Sequence, residues 1–178
     1  MTKKDIKTVK DNFISAANYS KKIGFDCLEI HMAHGYLLHQ FFSPISNFRK
    51  DEFGGNLKKR CKLLTKIASD VRNVWPKNKI LGARINGYDW LDKKGSTVND
   101  SVYLSKQLKK IGFDYVCVTS GGIIPKTKIK FKKGYQVFLA KKNKINSKII
   151  VKTTGMIKDI KHAEQIIKNN SADLVSFG

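Results

Sequence analysis

Apolar positions along this chain recur with two alternating periods. From Ile6 to about Lys22, the residues Ile6, Val9, Phe13, Ala16, Ala17 and Tyr19 fall at helical spacing. Gly24 supplies the stop that a helix end favours, and Cys27 to His31 then reads as a strand. The alternation continues downstream. Helices are predicted at about 57–74, 98–110, 135–143 and 160–168, with strands at 80–85, 115–119, 148–152 and 174–177. Trp75-Pro76 closes the second helix, because proline cannot continue one, and Gly112 closes the third.

One junction is used more than once. Lys22-Ile23-Gly24-Phe25-Asp26 and Lys110-Ile111-Gly112-Phe113-Asp114 are the same helix-to-strand step, and Asn169-Asn170-Ser171-Ala172-Asp173 performs it a third time. Repeated steps of this kind imply an α/β fold with a parallel sheet covered by helices, either a (β/α) barrel or a doubly wound sheet. Polar residues and glycines gather just after the strands, at His31, Arg84, Ser120-Gly121-Gly122 and Gly155. Both architectures carry their sites at that carboxyl edge. Five strands are visible, whereas a closed barrel has eight and typically needs about 250 residues. The expectation is a partial barrel, residues 1–178 forming one domain of a larger protein.

Composition narrows the class. With 178 residues, 41% of them hydrophobic and 10% aromatic, the chain is too apolar for a disordered polycation. No run approaches the ~18 apolar residues of a membrane span, and the opening Met1-Thr2-Lys3-Lys4-Asp5 leads into no signal core, so a cytoplasmic protein is expected. Cys27, Cys61 and Cys117 have no paired spacing and indicate neither disulfide nor zinc framework. The net charge of +21 invites a nucleic-acid reading. Yet arginine stands only at Arg49, Arg60, Arg72 and Arg84, and the lysines are spread over every segment, which reads as composition bias. No nucleic-acid partner is expected. The densest run, Lys126 to Lys133, reads as a solvated loop or an anion-binding segment.

The chemistry concentrates in Glu29-Ile30-His31-Met32-Ala33-His34-Gly35-Tyr36-Leu37-Leu38-His39. Strand alternation points Leu28 and Ile30 to one face, Glu29 and His31 to the other. Two imidazoles converging at a strand end make a receptor for a carbonyl or oxyanion, and a nearby phenol can donate a proton. A metal site with His39 as third ligand, and a purely structural role, stay open on spacing alone. Arg84 is open too, either a free positive charge or the partner of Glu29.

The stretch from His31 through Ser43-Pro44-Ile45-Ser46-Asn47-Phe48-Arg49-Lys50-Asp51-Glu52-Phe53-Gly54-Gly55-Asn56 to Arg60 resembles the Old Yellow Enzyme family of FMN-dependent ene reductases. His-x-x-His-Gly-Tyr is similar to its thermophilic-like branch. The resemblance continues through Gly82-Ala83-Arg84-Ile85, Ser120-Gly121-Gly122, Gly134-Tyr135-Gln136-Val137, Gly155-Met156-Ile157 and Ala172-Asp173-Leu174-Val175. It implies a (β/α)8 TIM barrel of which this chain covers about strands four to eight, lacking the first three strands and the C-terminal end.

The same resemblance implies function. FMN would be reduced by NADH or NADPH and would in turn reduce an activated C=C bond. His31 and His34 would grip the substrate oxygen, Tyr36 would protonate the alpha carbon, and Arg84 would lie by the flavin N1/O2 edge. Gly155 and Gly178 would offer backbone N–H groups to the FMN phosphate. No metal is implied, and the full-length form would be a homo-oligomer. Relatives acting as dienoyl-CoA reductases or amine dehydrogenases, and a non-catalytic half-barrel remnant, are the alternatives. Met32 departs from the family's usual Gly or Ala; it either narrows the pocket or packs behind it.

Overall fold

The computed structural model describes every residue except Asp92, Lys93, Lys126, Lys128 and Gly178. Helix α1 (Lys3–Lys22) starts earlier than its apolar stripe, because Thr2 and Asp5 form a reciprocal capping box ahead of Ile6. Strand β1 (Cys27–Met32) follows, then a short α2 (Leu37–Phe42) that the sequence pattern does not reveal. The predicted helix over 57–74 is broken at Cys61 into α3 (Leu57–Arg60) and α4 (Lys62–Val74). Beside that break the Arg60 guanidinium is buried and donates to the carbonyls of Phe42 and Gly55, tying α3 to the loop before it.

The remaining elements alternate as expected: β2 (Ile80–Asn86), α5 (Val98–Ile111), β3 (Tyr115–Thr119), α6 (Val137–Ser147), β4 (Ile150–Thr153), α7 (Ile160–Lys168) and β5 (Leu174–Val175). The fourth helix lies later than predicted, and Lys148, expected to open the strand, is instead a left-handed C-cap at φ 58°. All neighbouring strands pair in parallel, in the order β1-β2-β3-β4-β5.

That order decides between the two architectures. A doubly wound sheet reverses its strand order so that helices cover both faces. Here the order is sequential, so right-handed crossovers place every helix on one face, as in a barrel. Ile30, Met32, Leu81, Ala83, Ile85, Val116, Val118 and Val151 form the helix-covered side and are buried. Met32 therefore packs behind the sheet and does not narrow a pocket. The opposite face carries Glu29 and His31, Gly82 and Arg84, Tyr115 and Cys117, then Lys152, set out in two tiers by the register. On the same face Ile80, Ile150 and Leu174 stay 52%, 50% and 46% exposed.

The three repeated junctions share one conformation. Gly24, Gly112 and Asn170 all take positive φ, at 90°, 96° and 53°. The aspartate that follows then grips the strand before its own. Asp114 accepts from the Leu81 N–H at 2.7 Å, and Asp173 from the Val151 N–H at 2.9 Å. Asp26 leads into the edge strand β1; its side chain is fully exposed, with Lys79 4.0 Å away. Asp114→Ala is expected to cost about 1 kcal/mol in urea denaturation, the worth of one hydrogen bond. Asp26→Ala is expected to fall within about 0.5 kcal/mol of wild type. Equal losses would mean that the carboxylates act through general charge and not through the seam.

Candidate active site

The site begins where β1 ends. His34 sits at φ 56° and Gly35 at φ 75°, two successive left-handed residues that turn the chain back over the sheet edge. Such a turn costs energy for histidine and needs outside support. Gly35 has no room for a side chain: a Cβ there would collide with the Gly122 carbonyl oxygen, and one on Gly122 would lie 2.7 Å from the His34 Cα. The loops after β1 and β3 are thus in backbone contact.

His39 completes the support. The Gly35 N–H donates to His39 Nδ1 at 2.8 Å, so the ring proton is on Nε2, which donates to Asp89 Oδ1 at 2.9 Å. Asp89 also accepts from Asn86, Ser43 and the Ser96 N–H, and both His39 and Asp89 are fully buried. Burial works to raise the Asp89 carboxyl pKa, but these hydrogen bonds, led by that from His39, hold it below its ordinary value. With both ring nitrogens occupied, His39 is not a third metal ligand. Among the described residues no group of His, Cys, Asp and Glu could hold a metal ion.

The turn brings three of the predicted residues together. The His31 and His34 rings lie 5.2 Å apart, and the Tyr36 ring lies 5.0 Å from His31. Tyr36 is 63% exposed, so its phenol is open to an incoming molecule. Arg84 pairs with His31 across the β1–β2 register, on the same tier and face. It does not pair with Glu29, whose carboxylate is held by Tyr115 and Lys152, each at 2.7 Å. That reach depends on Gly82, whose missing side chain leaves room for the Tyr115 ring. Among the described residues Arg84 forms no ion pair, and its buried Nε has no hydrogen-bond partner.

Positive charge and burial set the imidazoles. Desolvation first, then Arg84, lowers the His31 pKa; the same two causes, with His31 and His39 behind them, bring His34 down to about 4. His34 is thus neutral at neutral pH and uses Nε2 to bond Thr119 Oγ1 at 2.8 Å. The linkage follows from the sign. An unfolded histidine takes its proton near pH 6.5, the folded one only near 4. The contribution of His34 to stability is complete above about pH 6.5 and is lost as acid is added down to about pH 4. Replacing His34 with Gln is expected to flatten this part of the stability–pH curve measured in urea; an unchanged slope would place the acid lability elsewhere.

Gly155, at the carboxyl end of β4, has φ 106°, and a Cβ there would collide with the Gln136 amide. Gly178 lies outside the described residues, as do Lys126 and Lys128 of the basic run. Several supporting residues escape sequence reasoning: Asp89, Thr119, Gln136, Tyr115 and Lys152. Thr119, the last strand residue before Ser120-Gly121-Gly122, and Gln136, within Gly134-Tyr135-Gln136-Val137, carry a local signal. Beside Gly121, Trp90 stacks with Tyr88 and Tyr135, their ring centres 5.2 and 6.3 Å from its own, and lines the neighbouring rim with aromatic surface.

Together these features define a run of β/α barrel units with polar groups collected at the carboxyl ends of the strands. The chain belongs to the NADH:flavin oxidoreductase / NADH oxidase family, whose match covers residues 1–178. It is 42% identical to an NADPH dehydrogenase of Clostridium acetobutylicum over 178 residues, covering all of this chain and 52% of that protein. Among solved structures it is similar to a 2-naphthoyl-CoA reductase, with TM-score 0.91 and 24% identity over 99% of this chain and 27% of the other. It is also similar to the old yellow enzyme homologue of Zymomonas mobilis, with TM-score 0.81 and 22% identity over 100% of this chain and 49% of the other. The chain spans about half the length of the curated relatives it matches. Among the described residues, no helix is long and apolar enough to cross a membrane.

Proposed function

We propose that this chain supplies strands four to eight of a (β/α)8 flavin barrel that reduces activated C=C bonds at the expense of NADH or NADPH. One observation carries the reading: His31, His34 and Tyr36 converge beside an arginine that forms no ion pair among the described residues. The residues present fit FMN. The orphaned Arg84 Nε matches the electron-rich N1/O2 edge of the flavin, and the glycine-only conformation at Gly155 suits the close approach of a phosphate. FMN, when bound, supplies hydride to the beta carbon of the alkene.

The chain's own residues do the rest. His31 and His34 hold the substrate's carbonyl or nitro oxygen and draw electron density from the alkene. Tyr36 donates its phenolic proton to the alpha carbon. Arg84 fixes positive charge on the flavin side of the site and adds to burial, the larger cause, in lowering both imidazole pKa values, which keeps the histidines neutral donors. The bare face with its exposed Ile80, Ile150 and Leu174, and the open edge of β1, support the reading that further strands complete the barrel.

The test is anaerobic turnover of the flavin-loaded protein with NADPH and 2-cyclohexenone, following both NADPH and the ring alkene. Consumption of the two in equal amounts is expected. NADPH oxidation that proceeds only with oxygen as acceptor, leaving the alkene untouched, would reject the ene-reductase reading.

A further inference from the structure

A neutral imidazole carries one N–H, so it matters which His34 nitrogen holds it. If the proton is on Nε2, it is spent on Thr119, and Nδ1 is left as a lone pair that cannot donate to an oxyanion. If Thr119 donates instead, the histidine proton is on Nδ1. The Thr119 hydroxyl has a single proton and two acceptors within reach, His34 Nε2 at 2.8 Å and Gln136 Oε1 at 3.2 Å.

Gln136 can do without that proton. Its Nε2 donates to the Thr154 carbonyl at 3.2 Å, which fixes the amide so that Oε1 faces the two hydroxyls. Oε1 already accepts from Ser120 Oγ at 2.6 Å. Thr119 and Gln136 are buried at 2% exposure each, so no solvent competes for the hydroxyl. With Ser120 donating to Gln136 and Thr119 to His34, every one of these side chains is satisfied and one imidazole N–H is left over for the site. Among the described residues, the bond to Thr119 is the one hydrogen bond the His34 ring makes.

We propose that Thr119 is a positioning residue that donates its hydroxyl proton to His34 Nε2, holding His34 in the Nδ1–H form that can donate to a ligand oxygen. The last clause rests on the oxyanion-receptor reading above; the tautomer itself does not. Ser120 acts one step further back, by keeping Gln136 from drawing the same proton.

Nitrogen-15 NMR of the histidine rings tests this directly, with His39 as an internal standard of the opposite, Nε2–H form. The flavin-loaded protein is used, and His34→Gln assigns the signal. Wild-type His34 is expected as Nδ1–H. Ser120→Ala, which does not touch the ring, is expected to move it toward Nε2–H as Gln136 takes the Thr119 proton. Thr119→Val is expected to abolish the tautomer preference and to weaken binding of 4-nitrophenol, an oxyanion probe, about tenfold. Thr119→Ser is expected to restore both. A wild-type His34 protonated on Nε2, or a tautomer indifferent to both Thr119→Val and Ser120→Ala, overturns the proposal. The Nδ1–H form together with no 4-nitrophenol binding supports it and counts against the oxyanion-receptor reading instead.

Discussion

Tyr36→Phe is expected to slow alkene reduction about 10²- to 10⁴-fold, the span of a lost general acid, while flavin reduction by NADPH keeps its wild-type rate. The separation follows from where the phenol stands. Tyr36 lies at the mouth of the site, 63% exposed and 5.0 Å from the His31 ring. Its main chain carries the structural load, capping α2 and accepting from the Gln40 N–H at 2.9 Å, and phenylalanine preserves that. Removing the hydroxyl therefore takes away a proton and leaves the turn. Stopped-flow measurement of the two half-reactions checks this. Equal slowing of both would mean that the residue shapes flavin binding, and no slowing would assign the proton to another group or to water.

Asp89→Ala is expected to cost about 3–5 kcal/mol, the penalty for leaving buried polar partners without their charge. Four donors converge on this fully buried carboxylate: His39 Nε2, Asn86 Nδ2, Ser43 Oγ and the Ser96 N–H. A domain's total stability is about 5–15 kcal/mol, so the loss is a large share of it. Its effect should be local first. Without Asp89 the His39 ring is free to turn, and the Gly35 N–H loses the acceptor that braces the left-handed pair His34-Gly35. Urea denaturation measures the energy, and hydrogen exchange at the Gly35 amide reports the turn. A variant that unfolds within about 0.5 kcal/mol of wild type would sink the account.

What could be read from the sequence was what repeats or lies close along the chain. The alternation of helices and strands, the Gly24 and Gly112 stops and the His31–Tyr36 cluster all come from patterns a few residues long. The short α2 is not periodic enough to stand out, and the break at Cys61 lies beside an Arg60 whose bonds reach Phe42 and Gly55, contacts that no local spacing encodes. The partner of Glu29 cannot be read from the sequence for a related reason. Lys152 lies 123 residues away, and only the parallel register, with Gly82 leaving room for the Tyr115 ring, brings them together. Asp89 is a single polar residue in unremarkable surroundings, and Thr119 is marked only by the Ser120-Gly121-Gly122 that follows it. Their meaning comes from partners on other elements, which no local spacing encodes.

The seam aspartates have a consequence for the opposite end of the sheet. Each ties down the N–H of a neighbouring strand's second residue, so a slip of one residue between β2 and β3 would break the Asp114–Leu81 bond and move Tyr115 off Gly82. Alignment is thereby checked at the amino ends, where nothing reactive is needed. The carboxyl ends are relieved of that duty. They can carry an arginine with no ion pair among the described residues, a histidine bent into a left-handed turn and a phenol held open to solvent, a set of unfinished bonds that a sheet aligned there would have had to close.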